Sequence, residues 1–225
     1  MNKKYLWLIV VIVVFGFIFV PDILDRLKSG QVVDADRHKI GVKTIEESDL
    51  VQIGKVPEFE FVDQVGDTIS SKDYSGKVYV VEFFFTTCPT ICPVMTTNML
   101  TLQEAFKDRK DFGVASFTIN PMNDTPEVLQ DYAENYGITH PNWHLLTGEM
   151  DKIMELSNTG FNMYAGTNPN VDGGFEHSGM FALIDKNGMI RSRKDQFGNP
   201  IVYYDGTTEE GVELIKQDIR TLLKQ

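Results

Sequence analysis

Cysteine is scarce in this chain: two of 225 residues, Cys88 and Cys92, with only four histidines beside them. No further cysteine exists to serve a general peroxiredoxin or thioredoxin relay. Basic charge is also short, with 21 Lys and Arg against 32 Asp and Glu and a net charge of −11. Such a body repels nucleic acid and anionic headgroups, and it suits cationic partners, whether proteins or metals. A Gly-rich phosphate loop is missing, so nothing points to nucleotide binding. Internal repeats and low-complexity tracts are missing too. What remains, 42% apolar and 11% aromatic residues over one or two domains' worth of chain, fills a sizeable core without disulfide support.

Long hydrophobic runs number one. Residues 5–20, YLWLIVVIVVFGFIFV, carry no charge, and as a helix they reach about 24 Å, a little under the ~30 Å hydrocarbon core. Extension through Ile23 and Leu24, or local bilayer thinning, makes up the difference. Lys3 and Lys4 precede the run, so the positive-inside rule puts the N-terminus in the cytoplasm and exports everything after residue 24. No small-x-small cleavage site follows, which favours a retained anchor over a cleaved signal peptide. Outside the cytoplasm a lone cysteine pair is a disulfide, a serviced redox couple, or a soft-metal site kept reduced.

Residues 25–53 are polar, without sustained periodicity, and read as a linker. From 54 to 225 strands and helices alternate, predicting one α/β domain. FEFVDQ (59–64) and KVYVVEFFF (77–85) read as strands, the second buried because its apolar run is nearly continuous. Helix is predicted over 93–107, strand over 112–119 and helix over 126–135. The last opens with Asp124, Thr125, Pro126 and Glu127, which supply an N-cap oxygen, a first-turn proline and an acid at the positive dipole end. Strand at 143–148, a short helix at 149–157, a loop at 158–178, strands at 179–185 and 189–194 and a C-terminal helix at 208–224 complete the reading.

The stretch FFFTTCPTICPVM (83–95) sets both thiols where a strand feeds a helix, at the carboxyl edge of a sheet. The exposed amides and dipole of that helix start favour thiolate over thiol. Three residues separate the cysteines, one more than in a catalytic thioredoxin couple. One turn of helix then puts both sulfurs on one side, able to close a disulfide or to clamp one soft ion, Cu(I) or zinc. Structural disulfide, redox couple and metal site all remain open from spacing and compartment. Among the histidines, His38 lies in the linker, His140 precedes Pro141, and His144 reads as surface-facing beside Trp143. His177 stands between a flexible loop and a strand, where its side chain can be aimed at a sheet edge. Met95 and Met99 continue the cysteine stripe at helical spacing and read as core.

Taken with FTINPMNDTPEVLQDY (117–132), LLTG (145–148) and FEHSGMFALIDKNG (175–188), the CPxxCP stretch resembles the Sco (SenC-type) family over roughly residues 54–224. These are membrane-tethered proteins of thioredoxin-like fold that help assemble the binuclear Cu(A) centre of cytochrome c oxidase. The resemblance implies copper, as Cu(I) or Cu(II), held by Cys88, Cys92 and His177, with Glu176 as a further contributor where the family often has aspartate. It also implies the oxidase's copper-bearing subunit as acceptor, and an upstream copper donor or thiol reductant. A copper metallochaperone is the leading reading. The alternative is a thiol:disulfide oxidoreductase, with Cys88 and Cys92 as catalytic couple, reducing the oxidase's copper-site cysteines. A third reading is an acidic binding domain with a stabilising disulfide. Thr90 and Asn120 depart from the family's aspartates.

Overall fold

The structure is a computed structural model that describes Phe15 and residues 50–224. The chain divides into two units, Met1–Thr44 and Ile45–Gln225, and the fold below is that of the second. Apart from Phe15, the expected anchor at 1–24 lies outside the described residues, as does nearly all of the linker at 25–53. Among the described residues no helix is long and apolar enough to cross a membrane.

The centre of the domain is a mixed sheet in the order β1–β10–β9–β4–β5–β6. Strands β4 (Val78–Phe84) and β5 (Phe112–Thr118) form its middle and are buried along their whole length. They pair in parallel, and β6 (Trp143–Leu146) extends β5 in the same sense. Strands β9 (Met180–Ile184), β10 (Met189–Ser192) and β1 (Val51–Lys55) run antiparallel on the other flank, and β11 (Tyr204–Asp205) also pairs with β9. The β4–β5 and β5–β6 connections pass through helices α1 (Cys92–Phe106) and α2 (Pro126–Tyr136), as parallel pairing requires. This is a thioredoxin-like α/β fold.

Side chains alternate across β4 and divide the core into two layers. Tyr79 stacks on Tyr74, and Phe83 meets Phe117 and Phe161. That face is covered by the hairpin of β2 (Glu60–Val62) and β3 (Thr68–Ser70), whose Phe61 meets Phe117 edge-on. Beside it lie helix α3 (Met150–Glu155) and the wide turn Leu156–Gly160. The opposite face carries α1, α2 and the C-terminal helix α4 (Glu209–Leu222), with Phe84 against Tyr132 and the Tyr132 hydroxyl 2.7 Å from Thr96 Oγ1. Met95 and Met99 are fully buried in this layer, packing as core.

Helix α2 begins as its sequence predicts, with Pro126 in the first turn. The cap oxygen comes from Thr125, which accepts from the Val128 amide, and Gly137 closes the helix in the left-handed region at φ 74°. Strand β1 departs from expectation: it begins at Val51, three residues inside the predicted linker. Its pairing with β10 is broken by a bulge at Ile53, and its side chains are mostly exposed. Backbone pairing to an edge, not alternation, holds it, so no period marks it. The predicted loop at 158–178 also contains ordered pieces. Strands β7 (Ala165–Thr167) and β8 (Phe175–His177) form a separate two-stranded hairpin.

Candidate metal centre

The thiols sit just past the carboxyl end of β4. After Phe84 the chain turns, with the Cys88 amide donating to the Phe85 carbonyl at 3.2 Å. Proline at 89 leaves the next residues in bends, and regular helix begins at Cys92 with Pro93 in its first turn. Cys92 is 1% exposed and Cys88 7%. Cys92 lies in the core layer, whereas Cys88 lines a cleft of about 670 Å³ together with Phe85, Thr90, Ile91, Tyr164 and His177.

The imidazole arrives from the β7–β8 hairpin. His177 ends β8 opposite Ala165, and the next amide, Ser178, donates to the Tyr164 carbonyl at 2.9 Å. Phe85 packs edge-on against the ring at 5.9 Å between centroids and also touches Phe175. Gly173, at φ +86°, lies so close to this ring that an added Cβ would sit 2.8 Å from the Phe85 Cε2. The hairpin is thus seated directly on the cysteine loop.

His177 Nδ1 is 3.0 Å from the Ser178 carbonyl, which only accepts, so Nδ1 carries the proton. Nε2 is then the atom facing the sulfurs, a lone pair in the neutral ring and a donor in the imidazolium. It lies 3.1 Å from Cys92 Sγ. One donor atom from each of Cys88, Cys92 and His177 lies within 4.8 Å of the others. A backbone carbonyl fixing the far nitrogen is the arrangement that orients a metal-binding imidazole. Two soft sulfurs and one imidazole nitrogen suit copper.

The sulfurs are electrostatically unequal. Burial raises Cys88, but hydrogen bonding from the His177 ring in its imidazolium form, the Cys92 amide, and the Thr90 hydroxyl and amide outweighs it and holds the thiol at about 5. Thr90 Oγ1 is 3.5 Å from this sulfur, so the residue in the family's aspartate position touches the site. Cys92 is pushed far above the ordinary thiol range, chiefly by burial and further by the charge on Cys88. Beneath them Glu82, at the centre of β4, is raised to about 7 by burial, against the lowering effects of the Ser116 hydroxyl and of His177. Its Oε1 accepts from Ser116 at 2.7 Å, and its Oε2 has no hydrogen-bond partner among the described residues. Sequence reading missed Glu82; the one signal was an acid inside an otherwise apolar run.

Glu176 borders the same cleft, but its Oε1 accepts from Asn168 at 2.7 Å across the hairpin, and it is not in the three-residue group. Asn120 caps the end of β5, its amide donating to Thr118 Oγ1 at 3.0 Å. The other described histidines, His140 and His144, are occupied elsewhere. His144 is not simply surface-facing: its Nδ1 is 2.9 Å from Asp63 Oδ2, because the β2–β3 hairpin folds over β6. His140 is buried against Phe112, and its Nδ1 accepts from the Asn142 amide. His38 lies outside the described residues.

A sequence profile of the SCO1/SenC family matches residues 50–209. The SCO1 protein homolog of Bacillus subtilis is 33% identical over 153 residues, 67% of this chain and 78% of that protein. An SCO2-like protein of Rickettsia prowazekii is 32% identical over 174 residues, 76% of this chain and 78% of its own. Among solved structures, a SCO1/SenC family lipoprotein from Bacillus anthracis superposes with a TM-score of 0.66 at 33% identity, covering 76% of this chain and 95% of that one. Copper-bound yeast Sco1 gives 0.56 at 25% identity, covering 75% and 90%. A further match is BsSco, described as having a disulfide switch and as a member of the Sco family of cytochrome c oxidase assembly proteins; its TM-score is 0.64 at 28% identity over 80% of this chain and 98% of that one. With the profile spanning most of the chain and two thiols and an imidazole meeting at one sheet edge, this protein belongs to the SCO1/SenC family.

Proposed function

We propose that this chain is a membrane-tethered copper metallochaperone that holds copper through Cys88, Cys92 and His177 and delivers it to the copper-bearing subunit of cytochrome c oxidase for Cu(A) assembly. The observation that carries this reading is the convergence of the three donor atoms within 4.8 Å, with Nε2 left facing the sulfurs. Copper-bound yeast Sco1 supports it by likeness. Cys88 meets the cargo as a thiolate, Cys92 gives up its proton on loading, and the Ser178 carbonyl keeps the ring oriented. Glu176 stands in reserve at the rim. The apolar run at 5–20 anchors the protein with its N-terminus cytoplasmic and the domain outside. Anchoring concentrates donor near acceptor on one membrane face, and an upstream copper donor fills the site.

The experiment is a copper titration of the reduced full-length protein in detergent, with and without His177→Ala. Wild type is expected to take up one equivalent, and the variant to bind more weakly by at least about 100-fold, since losing a ligand costs more than the roughly 10–100-fold of losing a ligand's outer partner. Wild-type uptake in the variant removes the assigned site.

A second reading is favoured by the depressed Cys88 thiol beside a second sulfur, and by the disulfide switch described for BsSco. The Cys88 thiolate attacks a partner disulfide, forming a mixed disulfide and releasing one partner thiolate. Cys92 loses its proton and attacks Cys88, closing the intramolecular disulfide and releasing the second partner thiol. The partner gains two electrons, this chain loses two, and an upstream thiol reductant restores it. Retained disulfide reduction in the His177→Ala protein separates this activity from copper delivery.

A further inference from the structure

Asp124 is wholly buried and has no part in the chemistry above. Directly before the N-cap of α2, its sequence position suggests a capping role, but Thr125 performs that task. The Asp124 carboxylate instead faces the cysteine loop. Oδ2 accepts from the Thr86 amide at 3.1 Å and from the Thr118 hydroxyl. Oδ1 accepts from the Thr86 hydroxyl at 2.5 Å and from the Asn123 side-chain amide at 2.8 Å. Four donors occupy the four lone-pair directions of one carboxylate, which is how a buried charge is tolerated.

Two of the four donors belong to Thr86, two residues before Cys88. The others come from the end of β5 and from the segment entering α2. One side chain therefore ties together the end of β4, the end of β5 and the start of α2, at the level where the thiols leave the sheet. Within this turn the chain's own backbone supplies the bond from the Cys88 amide to the Phe85 carbonyl at 3.2 Å. The path of this short turn is set by its two anchored ends.

We propose that Asp124 is a positioning residue for the copper site, pinning Thr86 so that Cys88 is presented to Cys92 and His177. This rests on the copper reading of the three ligands, and the test separates the two. Asp124→Ala, Asp124→Asn and Thr86→Val are made in the full-length chain. Each is compared with wild type in copper(II) affinity, in the thiolate-to-copper absorption band, and, without metal, in the rate of Cys88 alkylation at one pH. Asp124→Ala strands four donors; it is expected to weaken copper binding on the order of tenfold or more, to shift the band, and to change the alkylation rate severalfold. Asp124→Asn should recover most of this, because its oxygen can take the Thr86 amide while Asn123 turns its own oxygen toward the new NH2. Thr86→Val loses one arm and should fall between.

A folded Asp124→Ala protein with wild-type affinity, band and alkylation rate overturns the proposal. If Asp124→Ala does not fold, Thr86→Val decides: an unaltered band and alkylation rate overturn the proposal, and a shift in both upholds it. Should wild type bind no copper, the copper reading fails by itself, and the metal-free alkylation rates still decide whether Asp124 positions the thiol.

Discussion

The acidity of Cys88 has a consequence that alkylation kinetics can read directly. With its pKa near 5 against 9 for an unperturbed thiol, the thiolate fraction at pH 6 is about 0.9 rather than about 0.001, a gain of nearly a thousandfold. Nucleophilicity falls with basicity, with a Brønsted slope of about 0.4–0.5, so four units of acidity make each thiolate roughly 40–100-fold less reactive. The product is a Cys88 that reacts about 10–20-fold faster than an ordinary thiol at pH 6. At pH 9, where the ordinary thiol is half ionised, Cys88 should react about 20–50-fold more slowly than it. The two profiles cross. The assay uses metal-free, reduced protein carrying Cys92→Ser, treated with iodoacetamide between pH 4 and pH 10 alongside a model cysteine peptide, with the rates read by mass spectrometry. A Cys88 rate that climbs in parallel with the peptide up to pH 8 would refute the reasoning, because it would show that burial outweighs the hydrogen bonds of His177, Cys92 and Thr90.

Two further substitutions test the frame around the site. Gly173→Ala places a β-carbon against the Phe85 ring at a positive φ; a destabilisation of about 1–2 kcal/mol is expected, together with weaker copper binding as the hairpin lifts, and calorimetry plus copper titration would check both. Glu82→Gln replaces a carboxyl whose pKa is raised from 4.5 to about 7 in the folded protein. A raised carboxyl stabilises the fold fully below about pH 4.5 and loses that advantage as pH rises through 7, by on the order of 3 kcal/mol in total. The variant should therefore melt close to wild type at pH 4.5 and clearly above it at pH 8, and equal melting temperatures across that range would contradict the assignment.

Much of the fold was legible because the central elements declare themselves locally. The continuous apolar runs of β4 and β5 match a strand buried on both faces, and Thr125–Pro126 marks the start of α2. The dithiol was legible as a site, since a strand ending in Thr-Thr-Cys-Pro leads its thiols to a sheet edge. Its use was not, because spacing and compartment left a disulfide, a redox couple and a metal all open; the family resemblance supplied the expected ligand set. Local signals could not bring His177 to Cys92, since 85 residues separate them and the intervening Asn-, Gly- and Pro-rich stretch has no apolar period. Strands β7 and β8 were hidden for the same reason, and β1 because an edge strand is selected by its partner's backbone. Asp124 was hidden by a better-known role, that of a capping residue one position away from the true cap.

The two-stranded β7–β8 hairpin is not part of the sheet that carries the thiols. On the proposed function, grip on the ion is therefore set in part by a stretch of polypeptide outside the scaffold sheet. Exchanges at Pro169, Asn170 and Asp172, exposed at the hairpin's tip and clear of the Gly173–Phe85 contact, would retune how long a bound ion is retained while the melting behaviour of the central layer stays nearly constant.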